Sequence, residues 1–175
     1  MAVIPFREYC QRVEATLVNY AIPVITRDIP PPLIGDLDGA EIQIDPGIAP
    51  EARLFLLAHL FGHTVQWNVD RRTLAIGRPL APPVPSERLP LLAAYEREAA
   101  SYGLSLLHES GIQSIDQWFC DYSACDEAYL MHYYRTGHRK EFTDFWRSNS
   151  PLFAGRPIPR FTPVRRSLRG NGVVI

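Results

Sequence analysis

The sequence predicts an α+β domain, with a small antiparallel or mixed sheet packed on a helical core. Three observations carry that expectation: an amphipathic stretch opens the chain, short β-branched runs broken by proline and glycine follow it, and long apolar segments fill the middle. With 175 residues, 46% of them hydrophobic and 21% charged, the chain can bury a core, which excludes disorder as a description of the whole. The same reading divides the chain into a globular part, residues 1–150, and a Pro/Arg-rich tail, residues 151–175. No run approaches the roughly 18 apolar residues of a membrane span. The N-terminus MAVIPFREYC lacks a basic stretch followed by a long apolar run, so a soluble cytoplasmic protein is expected. A formal charge of -1 argues against a generally basic nucleic-acid-binding surface.

In residues 6–20, Phe6, Cys10, Val13, Leu17 and Tyr20 recur at steps of three and four, the period of an amphipathic helix. Val24 to Thr26 and Glu41 to Ile44 read as short strands separated by a triple proline and a turn at Asp38-Gly39, with Ile42 and Ile44 on one sheet face. Residues 51–67, EARLFLLAHLFGHTVQW, contain no proline and are apolar on nearly every side, which predicts a central buried helix. The proline-rich segment from Arg71 to Arg88 reads as a loop, with one short strand at Thr73 to Ile76. Helices are then expected from Pro90 to Glu109, Ser114 to Tyr134 and Arg139 to Arg147, with Gly111 and Gly137 as stops. After Ser150 come five arginines, four prolines and no acidic residue, an extended tail rather than core. Cys10, Cys120 and Cys125 fit neither a disulfide framework nor paired zinc knuckles and read as buried free thiols.

Chemistry enters at His59 and His63. Four residues apart on one helix, they lie about one turn above each other and can grip a single metal ion. Their neighbours Leu56, Leu57, Ala58, Leu60 and Phe61 make unpaired imidazoles costly. A third ligand is expected from the following helix, whose apolar stripe runs through Leu91, Tyr95, Ala99, Tyr102 and Leu106 with Glu98 beside it. Glu96 falls about 200° away from Glu98 at 3.6 residues per turn and reads as a solvated charge. Two imidazoles, one carboxylate and an open fourth position form the ligand set of a catalytic zinc site. The alternatives for Glu98 are a surface charge or an ion pair with an arginine such as Arg53. His108, His132 and His138 receive no role.

These residues resemble the ImmA/IrrE family of zinc-dependent peptidases, gluzincin-like proteins whose known members cut DNA-binding repressors. The resemblance spans roughly Glu41 to Gly137. GAEIQIDPGIAPEARLFLLAHLFGH is similar to the family's strand followed by F-x-x-AHE-x-GH; EREAASYGLSLL is similar to its E-x-EA-x-x-FA-x-x-LL; and SIDQWFCDYSACDEAYLMHYYRTG resembles its third helical block. By matching positions, the resemblance implies zinc held by His59, His63 and Glu98, a zincin-like fold, and a protein or peptide partner such as a repressor-type transcription regulator. A basic tail without aromatic interleaving adds no case for direct nucleic-acid binding.

One departure outweighs the matches. The family's HExxH is His59-Leu60-Phe61-Gly62-His63 here, so Leu60 occupies the general-base position and no residue of the motif is left for proton transfer. Losing such a group typically costs about 10² to 10⁴ in rate. Three readings follow: a pseudo-peptidase that binds a protein or peptide, an active hydrolase with an unusual base, and a metal-free interaction module. A carboxylate or tyrosine from elsewhere, Tyr102 among them, could supply the base, although packing explains Tyr102 better. Gly62 predicts close approach of a neighbouring strand or loop.

Overall fold

Helix α1 (Phe6–Asn19) lays Cys10, Val13 and Leu17 against the core, while Phe6 and Tyr20 at its ends are half-buried. The structure is a computed structural model and describes residues 4–77 and 81–166. Three short strands follow: β1 (Val24–Thr26), β2 (Gly35–Leu37) and β3 (Ile42–Ile44). They form a mixed sheet in the order β1-β3-β2, with β1 parallel to β3 and β2 antiparallel to it. The register pairs Val24 with Ile42 and Gly35 with Ile44. Ile42 and Ile44 are fully buried, consistent with β-branched residues two apart sharing the packed face. The reading of the sequence contained β1 and β3 but not β2, whose Gly-Asp-Leu carries almost no strand propensity and is held by pairing with β3 and by burial of Gly35 and Leu37 against the core.

The centre of the molecule is α2 (Pro50–Val69), buried without interruption from Leu54 to Trp67. A helix apolar all round must be covered all round. The covering elements are α1, the sheet and α4 (Leu89–Glu109), and α4 in turn packs on α5 (Asp116–Thr136). α2 and α4 approach closely because glycines face backbone at the crossing. A Cβ on Gly62 would lie 2.0 Å from the Ala99 carbonyl oxygen, and one on Gly103 would lie 2.7 Å from that of Ala58. The neighbour that Gly62 admits is therefore a helix, not a strand or loop. Gly137 ends α5 in the left-handed conformation at φ 73°, which its lack of a side chain allows.

Two other expectations change. Thr73 to Ile76 belongs to a short helix, α3 (Arg72–Ile76), started by Asp70, whose carboxylate accepts from the Arg72 amide and whose carbonyl accepts from Thr73. Arg139 to Arg147 contains only a 3₁₀ turn at Phe142–Phe145, whose rings pack on Tyr122, Tyr129 and His132 of α5.

Residues 151–166 have no regular secondary structure, yet they lie against the domain. Phe153, Ile158 and Phe161 pack on the core, the Arg156 amide donates to the Ser101 carbonyl at 3.0 Å, and Arg165 pairs with Asp38 and Glu41, each at 2.7 Å. The last arginine of the tail, Arg169, lies outside the described residues. Cys10, Cys120 and Cys125 are free and buried, and burial pushes the Cys10 thiol up to about 11 and that of Cys125 to about 12, which suits packing rather than reactivity. Among the described residues, no helix is long and apolar enough to cross a membrane.

Candidate metal centre

His59 and His63 project from the same side of α2 because one turn of helix separates them. Their Nε2 atoms stand 3.0 Å apart. The carboxylate that meets them belongs to Glu96: its Oε2 is 3.1 Å from His59 Nε2 and 3.1 Å from His63 Nε2. All three residues are buried, Glu96 to 5% exposure, and their ligand atoms form the one compact metal-compatible group among the described residues. This group could hold a metal ion. Its edges of 3.0 to 3.1 Å are close to the roughly 3.3 Å between ligand atoms around a tetrahedral ion with bonds of about 2.05 Å.

Glu98 is not in this group. Its Oε2 accepts a hydrogen bond from Gln66 Nε2 at 2.9 Å, its Oε1 pairs with Arg156 of the tail, and its side chain is 30% exposed. Arg53, the partner considered from sequence, instead forms an ion pair with Glu14. The structure thus exchanges the expected roles of the two glutamates. The reason is the breadth of the face that α4 buries. The buried face of α4 is wider than the expected stripe: Tyr95, Ala99, Tyr102 and Leu106 are buried, Leu91 is 47% exposed, and burial also takes in Leu92, Glu96, Ala100 and Gly103. Glu96 stands four residues after Leu92 and four before Ala100, one turn from the small residues that touch α2.

Hydrogen bonding around His63 prepares it for a cation, whereas His59 Nδ1 is buried without a partner among the described residues. Gln66 Nε2 donates to the Tyr95 carbonyl and to Glu98, so its amide oxygen faces His63 and accepts from Nδ1–H at 2.9 Å. That fixes a proton on His63 Nδ1 and leaves the Nε2 lone pair directed at a carboxylate oxygen, two acceptors in contact. A positive charge between them, either a second proton or a metal ion, resolves the conflict. An acceptor behind the ring is also what metal-bound histidines ordinarily have. Tyr95 stacks on the His63 ring at 4.5 Å and accepts from Trp67 Nε1–H at 2.7 Å, which holds the imidazole in orientation. Burial by itself would raise the Glu96 carboxyl, but the His63 and His59 imidazoles beside it hold it down, to about 2.

A further carboxylate, unforeseen in the sequence, reaches the site from α5. Asp126 is 1% exposed and its Oδ2 lies 3.9 Å from His59 Nε2. Its Oδ1 meets no hydrogen-bond partner among the described residues. Burial pushes the Asp126 carboxyl up to about 7, with His59 pulling against that shift and Glu96 adding to it. His59, Glu96 and Asp126 border a cleft of about 340 Å³ between α4 and α5, walled further by Ala100, Ser123, Pro151 and Phe153. Arg97 and Glu127, also on its wall, pair across the two helices, with Nε to Oε2 at 2.7 Å.

Leu60 takes no part in the cleft. It is fully buried on another side of α2, 3.1 Å from where a Cβ on Gly35 of β2 would stand. Tyr102 is buried beneath Arg156, whose guanidinium carbon lies 5.6 Å from the ring centre, and makes no hydrogen bond to the cluster. His108 pairs with Asp116 at 2.9 Å and is half-buried, as is His132, while His138 is exposed. Comparison with protein-family models, with curated proteins and with solved structures returns no match for this chain.

Proposed function

We propose that the protein is a zinc-binding, metallopeptidase-like protein of the ImmA/IrrE, zincin-like type, whose site serves a protein or peptide ligand. The observation that carries this reading is the buried triangle of His59, His63 and Glu96, with the Gln66 amide oxygen accepting from His63 Nδ1–H and His63 Nε2 set against a carboxylate. Two imidazoles and one carboxylate suit zinc, and three protein ligands leave a fourth position for another group. The order of a short sheet, a helix bearing the two histidines and a second helix bearing the carboxylate supports the family resemblance, with Glu96 in place of Glu98 as the third ligand. Zinc bound there would supply a Lewis acid towards a carbonyl oxygen. A repressor-type regulator remains the partner class that the resemblance suggests.

What the ligand undergoes depends on the replacement at position 60. With nothing in the place of the lost glutamate, the site binds without cutting, as a pseudo-peptidase. With a substitute proton acceptor it is a hydrolase, and Asp126 is the specific observation in favour of that second reading.

Elemental analysis of protein purified without chelators tests the metal assignment. One zinc per chain is expected. His59→Ala should abolish it, and chelation should lower Tm by several degrees, because an ion bound only to the folded state stabilises that state. Zinc-free protein whose Tm ignores both added zinc and His59→Ala would sink the proposal.

A further inference from the structure

We infer that Asp126 is the catalytic carboxylate of this centre, holding the attacking water from the α5 side in place of a glutamate at position 60. The inference rests on the metal reading above and deepens it. Four observations converge. Asp126 is buried to 1% exposure, its Oδ1 is unpartnered among the described residues, its Oδ2 approaches His59 Nε2 to 3.9 Å, and it borders the same cleft as His59 and Glu96. A fully buried carboxylate oxygen without a hydrogen bond is costly to maintain, which points to a donor supplied by a ligand.

The distances separate this role from that of a fourth metal ligand. His59, His63 and Glu96 form a compact group to which Asp126 does not belong, its Oδ2 standing 3.9 Å from His59 Nε2. A carboxylate set one step outside a ligand triangle is placed to accept a hydrogen bond from a small molecule in contact with that triangle. Leu60 cannot compete for this position, because it packs against β2 away from the cleft. Substrate enters between α4 and α5, past Ala100 and Phe153. At about 340 Å³ the cleft takes an acyl group or a short piece of peptide.

Hydrolysis of an ester or amide balances with water as the only co-reactant. The water oxygen bonds to the carbonyl carbon, one water proton passes to the Asp126 carboxylate, the C–O or C–N bond breaks, and Asp126 returns the proton to the leaving oxygen or nitrogen.

The test compares wild type, Asp126→Asn and Asp126→Glu in three measurements: zinc affinity by chelator competition, acetohydroxamate affinity from the absorption spectrum of the cobalt-loaded protein, and hydrolysis of 4-nitrophenyl acetate. Acetohydroxamate serves as a small chelating probe that carries a hydrogen-bond donor. Asp126→Asn should keep zinc affinity within about threefold, weaken acetohydroxamate at least about tenfold and slow hydrolysis about 100-fold. Asp126→Glu, which keeps the carboxylate, should recover part of the probe affinity. Unchanged probe affinity in Asp126→Asn overturns the inference, and so does a hundredfold loss of zinc affinity, which would make Asp126 a ligand. A wild-type chain that takes up no zinc overturns the metal reading itself, a different result from either of these.

Discussion

Glu96 and Glu98 stand two residues apart on α4 and live in different worlds. Glu96 faces α2, has given up its water and replaces it with two imidazoles. Glu98 sits at the rim, where Arg156 and Gln66 satisfy it while solvent still reaches its side chain. Both contribute to one arrangement, since Glu98 helps orient Gln66 and Gln66 orients His63. The difference teaches that the inner position is set by helix contact and the outer one by polar partners. Moving the helices should damage the first, whereas removing a partner should only loosen the second.

The strongest way to break the inner position is to separate the helices. Gly62→Ala places a Cβ 2.0 Å from the Ala99 carbonyl oxygen, and backbone on both sides leaves no flexible side chain to yield. Overpacking of this kind lies at the upper end of its range, about 3 kcal/mol. For a chain of this length that corresponds to a drop in Tm of roughly 6 to 12 °C. Calorimetry measures the drop, and zinc titration of the folded variant should show the metal site lost along with it. A Gly62→Ala protein with wild-type Tm would mean that α2 and α4 are not in contact at this crossing.

Next in size is the direct contrast between the two carboxylates. Glu96→Gln removes a charged corner of the triangle and should weaken zinc by more than about 100-fold, or about 2.7 kcal/mol. Glu98→Gln acts only through Gln66 and His63, and partners of that kind are worth about tenfold in metal affinity. Chelator competition on the two variants ranks them. The reverse ranking would restore Glu98 as the ligand and displace Glu96.

How far the sequence could carry this contrast is instructive. The two histidines were readable because helical spacing is local, and the burial of α2 followed from a segment with no polar side. The choice between the glutamates required the width of the buried face of α4: Tyr95, Ala99, Tyr102 and Leu106 of the expected stripe are buried, but burial extends past them to Leu92, Glu96 and Ala100 on the side that meets α2. A better signal was present in the small residues: Ala99, Ala100 and Gly103 mark the face that meets Gly62, and Glu96 lies one turn before them. Asp126 had a signal that went unused. It stands four residues after Tyr122 and three and four before Tyr129 and Leu130, on the apolar stripe of α5, while Glu127 beside it reaches out to Arg97. β2 and α3 were missed for a different reason, since pairing with β3 and the Asp70 side chain decide three- and five-residue elements that propensity does not.

The smallest expected effect sharpens the outer half of the comparison, because the rim depends on where the tail begins. Asp121 of α5 accepts hydrogen bonds from the Ser150 amide at 2.7 Å, from Gln117 Nε2 at 3.0 Å and from the Asn149 amide at 3.3 Å, and so fixes the point from which the chain runs on to Arg156. Burial would raise its carboxyl, but these donors outweigh burial and leave it below the usual aspartate range. A carboxyl whose folded value is depressed binds fewer protons in the folded state. Its stabilisation is therefore complete above the unfolded value near 3.9 and disappears as pH falls through the folded value. Asp121→Asn should cost about 1 kcal/mol at pH 7 and flatten the acid limb of the stability curve, as read by denaturant titration from pH 7 to pH 2. At neutral pH the same variant should leave zinc affinity within about twofold, because the tail start anchors Arg156 and Glu98 and makes no contact with the triangle. A large loss of zinc affinity in Asp121→Asn would show that the tail holds the inner glutamate as well as the outer one.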